Sequence, residues 1–363
     1  MTIEASARPS GAGPRPRSSR ARSPLRLSRR LGLGEHVNAL AWWAPGGLAL
    51  AATLDGRVSA ISTSRDEAPR LLAEHAGGAL SVDLSPKGIA ASGGQDGRVR
   101  LVPLAGGGLV RELDAGVATG SWVEHVRWSP EGRVLASAAG RVVRFWRPDG
   151  TLTGELAEHP GTVIAIWWDA SGRTLTSACP DGLRLLGPNR RRAMVHIPWD
   201  AAGTVLLAAE SPDARYIAMA HLGGTVSVLQ VNTSRSIQYG GFPGKVRRLA
   251  WSRDSRRLAV AAGDRSAAFR FSPRGPDRER ARVLRGHAGR VDALAFVAAA
   301  GGELLVSGCD AGRLVLWSEA RDLRRVGALD LPGSVEQVFA SPDGRALGVA
   351  CRGGDLHLLA VER

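Results

Sequence analysis

The chain has 363 residues, 44% of them hydrophobic and 23% charged, the make-up of a folded protein with a sizeable core and not of a disordered one. It holds no apolar run of the roughly eighteen residues a membrane-spanning helix needs; its basic start lacks an apolar leader stretch, and its three cysteines form no C-x-x-C pair, so a reduced, cytoplasmic setting is expected. The formal charge of +14 splits evenly: residues 1–30 carry eight arginines against the single acid Glu4, and the rest of the chain supplies the other +7.

In chain order, residues 1–24 are rich in Arg, Pro and Ser and read as a solvated, disordered tail. The stretch PLRLSRRL (24–31) is a short strand with no neighbour to pair with. After it the chain repeats itself. An apolar alternation leading to an aromatic or a turn occurs at VNALAWW (37–43), ALSVDLSP (79–86), VEHVRWSP (123–130) and VIAIWWDA (163–170). It returns at VLLAAESP (205–212), VRRLAWSR (246–253), VDALAFVA (291–298) and VEQVFASP (335–342), with 40 to 45 residues between successive copies. Each copy continues through a tight turn such as SPEGR or SPDGR and a second apolar strand. A Gly-containing turn, a third strand and a weaker fourth strand follow.

Four short strands at that period, with no helical spacing, predict an all-β fold. The expected architecture is an eight-bladed β-propeller of four-stranded antiparallel blades over residues 25–363. The eighth copy stops at its third strand, DLHLLAVER. The N-terminal strand at 24–31 is therefore expected to supply the fourth, closing the ring and removing its open edges. Seven blades is the alternative if one eroded copy is a loop.

The best-preserved copy carries RGH at 285–287, then Ser307, Asp310 and Trp317. It resembles the WD-repeat family, here a divergent, bacterial-type and stand-alone propeller, whose repeats set a Gly-His before the first strand and a Trp-Asp at the third. No copy ends in a literal Trp-Asp, and the third keeps Trp146 but lacks the turn acid. The resemblance implies that His287, Ser307, Asp310 and Trp317 form a hydrogen-bonded structural set, and that His75 with Asp96 and His159 with Asp181 do likewise. It also implies a face, built from the turns before strand one and after strand two, that receives a protein partner. Trp122, His159, Trp199, Phe242, Lys245, Arg265, His287, Arg290 and Arg352 fall in or beside those turns. Aromatics and Arg are the usual interface anchors.

Local catalytic motifs are missing. In GGFPGKV (240–246) only three residues separate Gly240 from Gly244, and Val246 stands where a phosphate loop needs Ser or Thr. Two sets reach across blades. Asn38, Glu124, Asp292 and Glu336 sit one step into the innermost strands; facing the channel, they are candidates for a hard cation in a metal-dependent hydrolase, against a charge-balanced, water-filled channel. Cys179, Cys309 and Cys351 end second strands, as does His221, which raises a metal-handling role, but ring symmetry spreads them apart. The basic loops at 189–194 and 272–287 lack interleaved aromatics, so nucleic acid is not expected as a partner, with the Arg-rich tail as the one route to it. The expectation is thus a non-enzymatic scaffold or accessory subunit, a monomer by itself, without cofactor, that binds a protein.

Overall fold

A computed structural model describes residues 24–105, 110–116, 120–157, 159–188, 195–198, 203–233, 235–272, 275–277, 281–299 and 302–362. The eight repeats fold as eight antiparallel sheets arranged as blades of a closed ring. Their inner strands are Val37–Trp43, Ala79–Leu84, Val123–Trp128, Ala165–Trp168, Val205–Glu210, Val246–Trp251, Val291–Ala299 and Val335–Ala340, which number the blades 1 to 8. Each pairs with a second strand, that with a third, and that with an outer strand. In blade 6 the outer position is shared by two short pieces, Gly275–Pro276 and Arg282–Leu284.

Closure follows the expected route. Leu25–Gly32 runs antiparallel to Asp355–Val361 and is the outer strand of blade 8, with Leu25 opposite Val361 and Gly32 opposite Asp355. A bulge between Leu27 and Arg29 turns Ser28 aside, and its hydroxyl donates to the Leu358 carbonyl at 2.7 Å. Arg29 then reaches into blade 1, donating to the carbonyls of Ser62, Arg65 and Glu67 and facing Asp66.

The core is not a single centre. Among the described residues the buried apolar side chains fall into eight clusters, and each draws on two neighbouring blades. One of them joins Val37 and Ile61 of blade 1 to Leu356 and Leu358 of blade 8, so the ring is sealed at the seam where the chain closes. Close approach between blades occurs where a second strand carries glycine. A Cβ at Gly93 would sit 2.5 Å from Val123, and one at Gly308 would sit 2.4 Å from Val335. The first residue of each inner repeat (Val37, Ala79, Val123, Val163, Val205, Val246, Val291, Val335) is buried against the preceding blade. Burying one such valine contributes on the order of 1.5–3 kcal/mol.

Two sets of turns meet on one side of the ring. In blades 1, 2, 5, 7 and 8 the turn after the second strand hydrogen-bonds the turn before its own inner strand, as in Leu54 N–H to His36 O, Gln95 N–H to Gly78 O, Asp310 N–H to Arg290 O and Arg352 N–H to Ser334 O. We call this the loop face and the other side the rim face. Gly312, with φ of 81°, lies where a Cβ would come within 2.4 Å of the Leu331 carbonyl, so only glycine fits that crossing.

Candidate functional site

The conspicuous polar residues of the repeats divide into those spent inside blades and those left on the loop face. Inside blade 7, Ser307 is a fully buried hub: Trp317 Nε1–H donates to its Oγ at 2.9 Å and His287 Nε2 lies 2.7 Å away. Asp310 does not complete the set. It accepts the backbone N–H of Arg290 at 2.8 Å, and His287 Nδ1 is buried without a partner. Burial, with Arg313 and Arg325 nearby, pushes the His287 pKa down to about 4.

Blade 2 forms the acid contact in full, with His75 Nδ1 2.9 Å from Asp96 and Nε2 2.9 Å from Ser92. Blade 4 corrects the pairing expected there. His159 does not meet Asp181: its Nδ1–H donates to the Arg141 carbonyl at 3.1 Å, so the neutral ring accepts the Ser177 hydroxyl at Nε2, 2.8 Å away. Asp181 is instead clamped by Arg184 through contacts of 2.8 and 2.7 Å, which hold its carboxyl far below the usual range.

That arginine belongs to a pattern the motif reading missed. In blades 2, 3 and 4 the residue opposite the strand serine is Arg100, Arg144 or Arg184, paired across with Ser92, Ser137 and Ser177. Each spends its guanidinium on an acid of its own blade, Asp96 and Glu112, Glu155, and Asp181 respectively. The signal lies in GRVRL, RVVRF and DGLRL, where a basic residue recurs in an otherwise apolar third strand.

The cross-blade sets do not converge. Asn38 donates to the Ala79 carbonyl of blade 2 at 2.8 Å. Asp292 is held by Arg290 at 2.8 Å with Arg247 at 3.8 Å, and Glu336 lies between His36 (2.6 Å) and Arg352 (3.1 Å). Glu124 is half-buried, which raises its pKa. Among the described residues no three His, Cys, Asp or Glu side chains group closely enough to hold a metal ion. The three cysteines are fully buried, and burial pushes Cys179 up to about 12 and Cys351 to about 11, so both stay protonated at neutral pH. His221 sits with Ser227 at 2.8 Å, a structural contact within blade 5.

What remains exposed lies on the loop face. Trp122 keeps 51% of its surface in solvent, and Leu54 and Leu222 project from the same side with 48% and 59% exposed. Lys245, Arg290 and Arg352 are exposed, while Arg265 is half-buried beside Asp264 at 2.8 Å. Besides His287, two more expected face residues turn inward. His159 is fully buried, because the strand serine beneath it needs a partner, and Phe242 is half-buried edge-on to Phe269 with ring centroids 6.2 Å apart. Trp199 and residues 189–194 lie outside the described residues, as do residues 1–23. No helix among the described residues is long and apolar enough to cross a membrane.

The WD domain, G-beta repeat family matches residues 109–147 and 278–318, in blades 2–3 and 6–7. A U3 small nucleolar RNA-associated protein 15 homolog from Xenopus tropicalis is 30% identical over 135 residues, covering 34% of this chain and about a quarter (26%) of that protein's length. The crystal structure of the WD40 beta propeller domain of Doa1 superposes with a TM-score of 0.61 at 16% identity, over 93% of this chain and 97% of that one, a likeness of fold.

Proposed function

We propose that this eight-bladed β-propeller, which matches the WD-repeat family over residues 109–147 and 278–318, is a non-enzymatic scaffold or accessory subunit, acting in the cytoplasm, that presents its loop face to a protein partner. The observation that carries this reading is the half-exposed Trp122 on a rigid turn, with Leu54 and Leu222 and the cations Lys245, Arg290 and Arg352 on the same side. An exposed indole and exposed arginines distributed over one face are the residue types that anchor interfaces. The neighbouring polar groups are already tied within blades, so the face is preorganised and loses little entropy on docking. The Xenopus relative, which matches a third of this chain, is by its name associated with a small nucleolar RNA.

The test is capture from the native cells with the tagged full chain, its Trp122→Ala and Arg352→Glu variants, and a rim-face control, Arg173→Glu. A stoichiometric protein lost with the first two variants and kept with the control supports the reading. A partner that ignores both loop-face changes sinks it.

A further inference from the structure

Charge is spread unevenly over the loop face. The turns of blades 5, 6 and 7 form one continuous sector of it. A Cβ at Gly224 would sit 2.9 Å from the Gly244 carbonyl, one at Gly263 would sit 2.7 Å from the Pro243 carbonyl, and Val291 N–H donates to Gly263 O at 2.8 Å. Five basic side chains stand on this sector, Lys245, Arg247, Arg265, Arg285 and Arg290, against the acids Asp264, Asp292 and Asp310.

Those acids are already engaged. Asp264 is bound by Arg265 at 2.8 Å, and that bond, with Arg285 also near, holds its carboxyl below the ordinary range. Asp292 takes Arg290 at 2.8 Å and Arg247 at 3.8 Å, while Asp310 accepts the Arg290 backbone N–H. Lys245 and Arg285 are exposed and make no ion pair among the described residues. Leu222, 59% exposed, stands on the blade 5 turn at the border of the sector. On blade 1 the balance reverses: Asp55 and Glu74 share Arg57, at 3.6 and 3.7 Å, and Glu35 is exposed on the turn before the inner strand. A phosphate backbone fits the basic sector poorly. Its interleaved acids repel a continuous line of charge, and two unspent cations release few counterions. Phe242 and Tyr239 both pack on Phe269 and are not presented for stacking.

Resting on the docking reading above, we propose that the sector of blades 5 to 7 receives an acidic segment of the protein partner, its carboxylates taken by Lys245 and Arg285 and an apolar side chain laid on Leu222. Discrete carboxylates can settle between the engaged acids where a phosphate chain cannot, and the acids of blade 1 repel the same segment from the far side of the ring. The sector thereby sets the orientation of the partner as well as its charge.

The chain has only two lysines, so the site can be read chemically: Lys245 lies in the sector, and Lys87 is exposed on the rim face between Ala79–Leu84 and Ile89–Gly94. A fluorescein-labelled peptide of repeated Glu-Glu-Leu is titrated with the full chain by anisotropy, then coupled by a carbodiimide, which joins carboxylates to amines. Binding should weaken with salt, fall about tenfold in the double variant Lys245→Glu/Arg285→Glu with its melting temperature kept, and persist in Arg57→Glu. The coupled site should be Lys245. The proposal is overturned by no binding, by equal binding of the double variant or of a Gln-Gln-Leu peptide, or by coupling confined to Lys87 or the amino terminus. An oligothymidylate that displaces the peptide at lower concentration also overturns it, making the sector a nucleic-acid site. If the peptide fails while capture from native cells still depends on Trp122, this inference falls alone; capture indifferent to Trp122 and Arg352 removes the docking reading beneath it.

Discussion

Ser307→Ala tests how the repeats are held together. The hydroxyl serves two buried partners, the Trp317 indole N–H and the His287 ring, at 2.9 and 2.7 Å. Alanine fills nearly the same space, so the cost is that of stranding those groups, about 1–3 kcal/mol each and therefore about 2–5 kcal/mol together. Ser137 serves only the Trp146 indole, at 2.8 Å, and Ser177 only His159 among ring partners, also at 2.8 Å. Ser137→Ala and Ser177→Ala should each cost roughly half as much. Urea midpoints for the three variants, with thermal melts in parallel, give the ranking, and the comparison within one protein cancels errors in the absolute scale. A whole-domain stability of about 5–15 kcal/mol makes the Ser307 effect large enough to read. If Ser307→Ala is neutral, or milder than Ser137→Ala, the buried hydrogen bonds are not what stabilises the blade.

Four further outcomes follow from particular contacts. Glu303 accepts the Arg253 backbone N–H, and burial raises its pKa to about 7; since the folded state holds that proton more tightly than the unfolded one, stability is lost as pH rises from about 4.5 through 7. Glu303→Gln should thus melt higher than the native chain at pH 8, with the advantage gone below about pH 4.5. Buried His159 and His287 act in the opposite sense, with folded pKa values near 4, so their share of stability is present above about pH 6.5 and falls away on acidification; replacing His159 with Gln should flatten the acid limb of a pH–melting curve. Arg29→Ala should speed amide exchange across Leu25–Gly32 and Asp355–Val361 and leave blade 4 unchanged, because it cuts the tie to residues 62–67. Gly312→Ala should cost at least about 1–2 kcal/mol from its left-handed backbone alone, and more from the 2.4 Å approach to Leu331 O.

The ring was legible because its signal is repeated. A valine at the start of seven of the eight inner repeats, small residues in the second strands and Gly-, Asp- or Pro-containing turns recur along the chain, so errors in one copy are outvoted by the others. The pairing inside a blade was legible only where the acid kept an oxygen free for the histidine. Asp96 reaches His75 although Arg100 binds the same carboxylate, whereas Arg184 takes both oxygens of Asp181 and leaves His159 to the Arg141 carbonyl. That choice depends on side-chain reach across a strand pair, which a motif does not encode. The half-burial of Phe242, against the exposure of Trp122, was likewise decided by a neighbour, Phe269, 27 positions further along the chain and adjacent only after folding.

The outer strand of blade 8 imposes an order of events on synthesis. Ser28 and Leu358 bond across 330 positions, so at about 5–20 residues per second the first segment waits roughly 15–70 s for its mate to leave the ribosome. An unpaired apolar strand held that long invites misassociation. This one reads LRLSRRLG, with Arg26, Arg29 and Arg30 among its eight residues. The charges keep the idle segment soluble, and Arg29 and Arg30 later find Asp66 and Asp355, so the same side chains that guard the nascent chain fasten the finished ring.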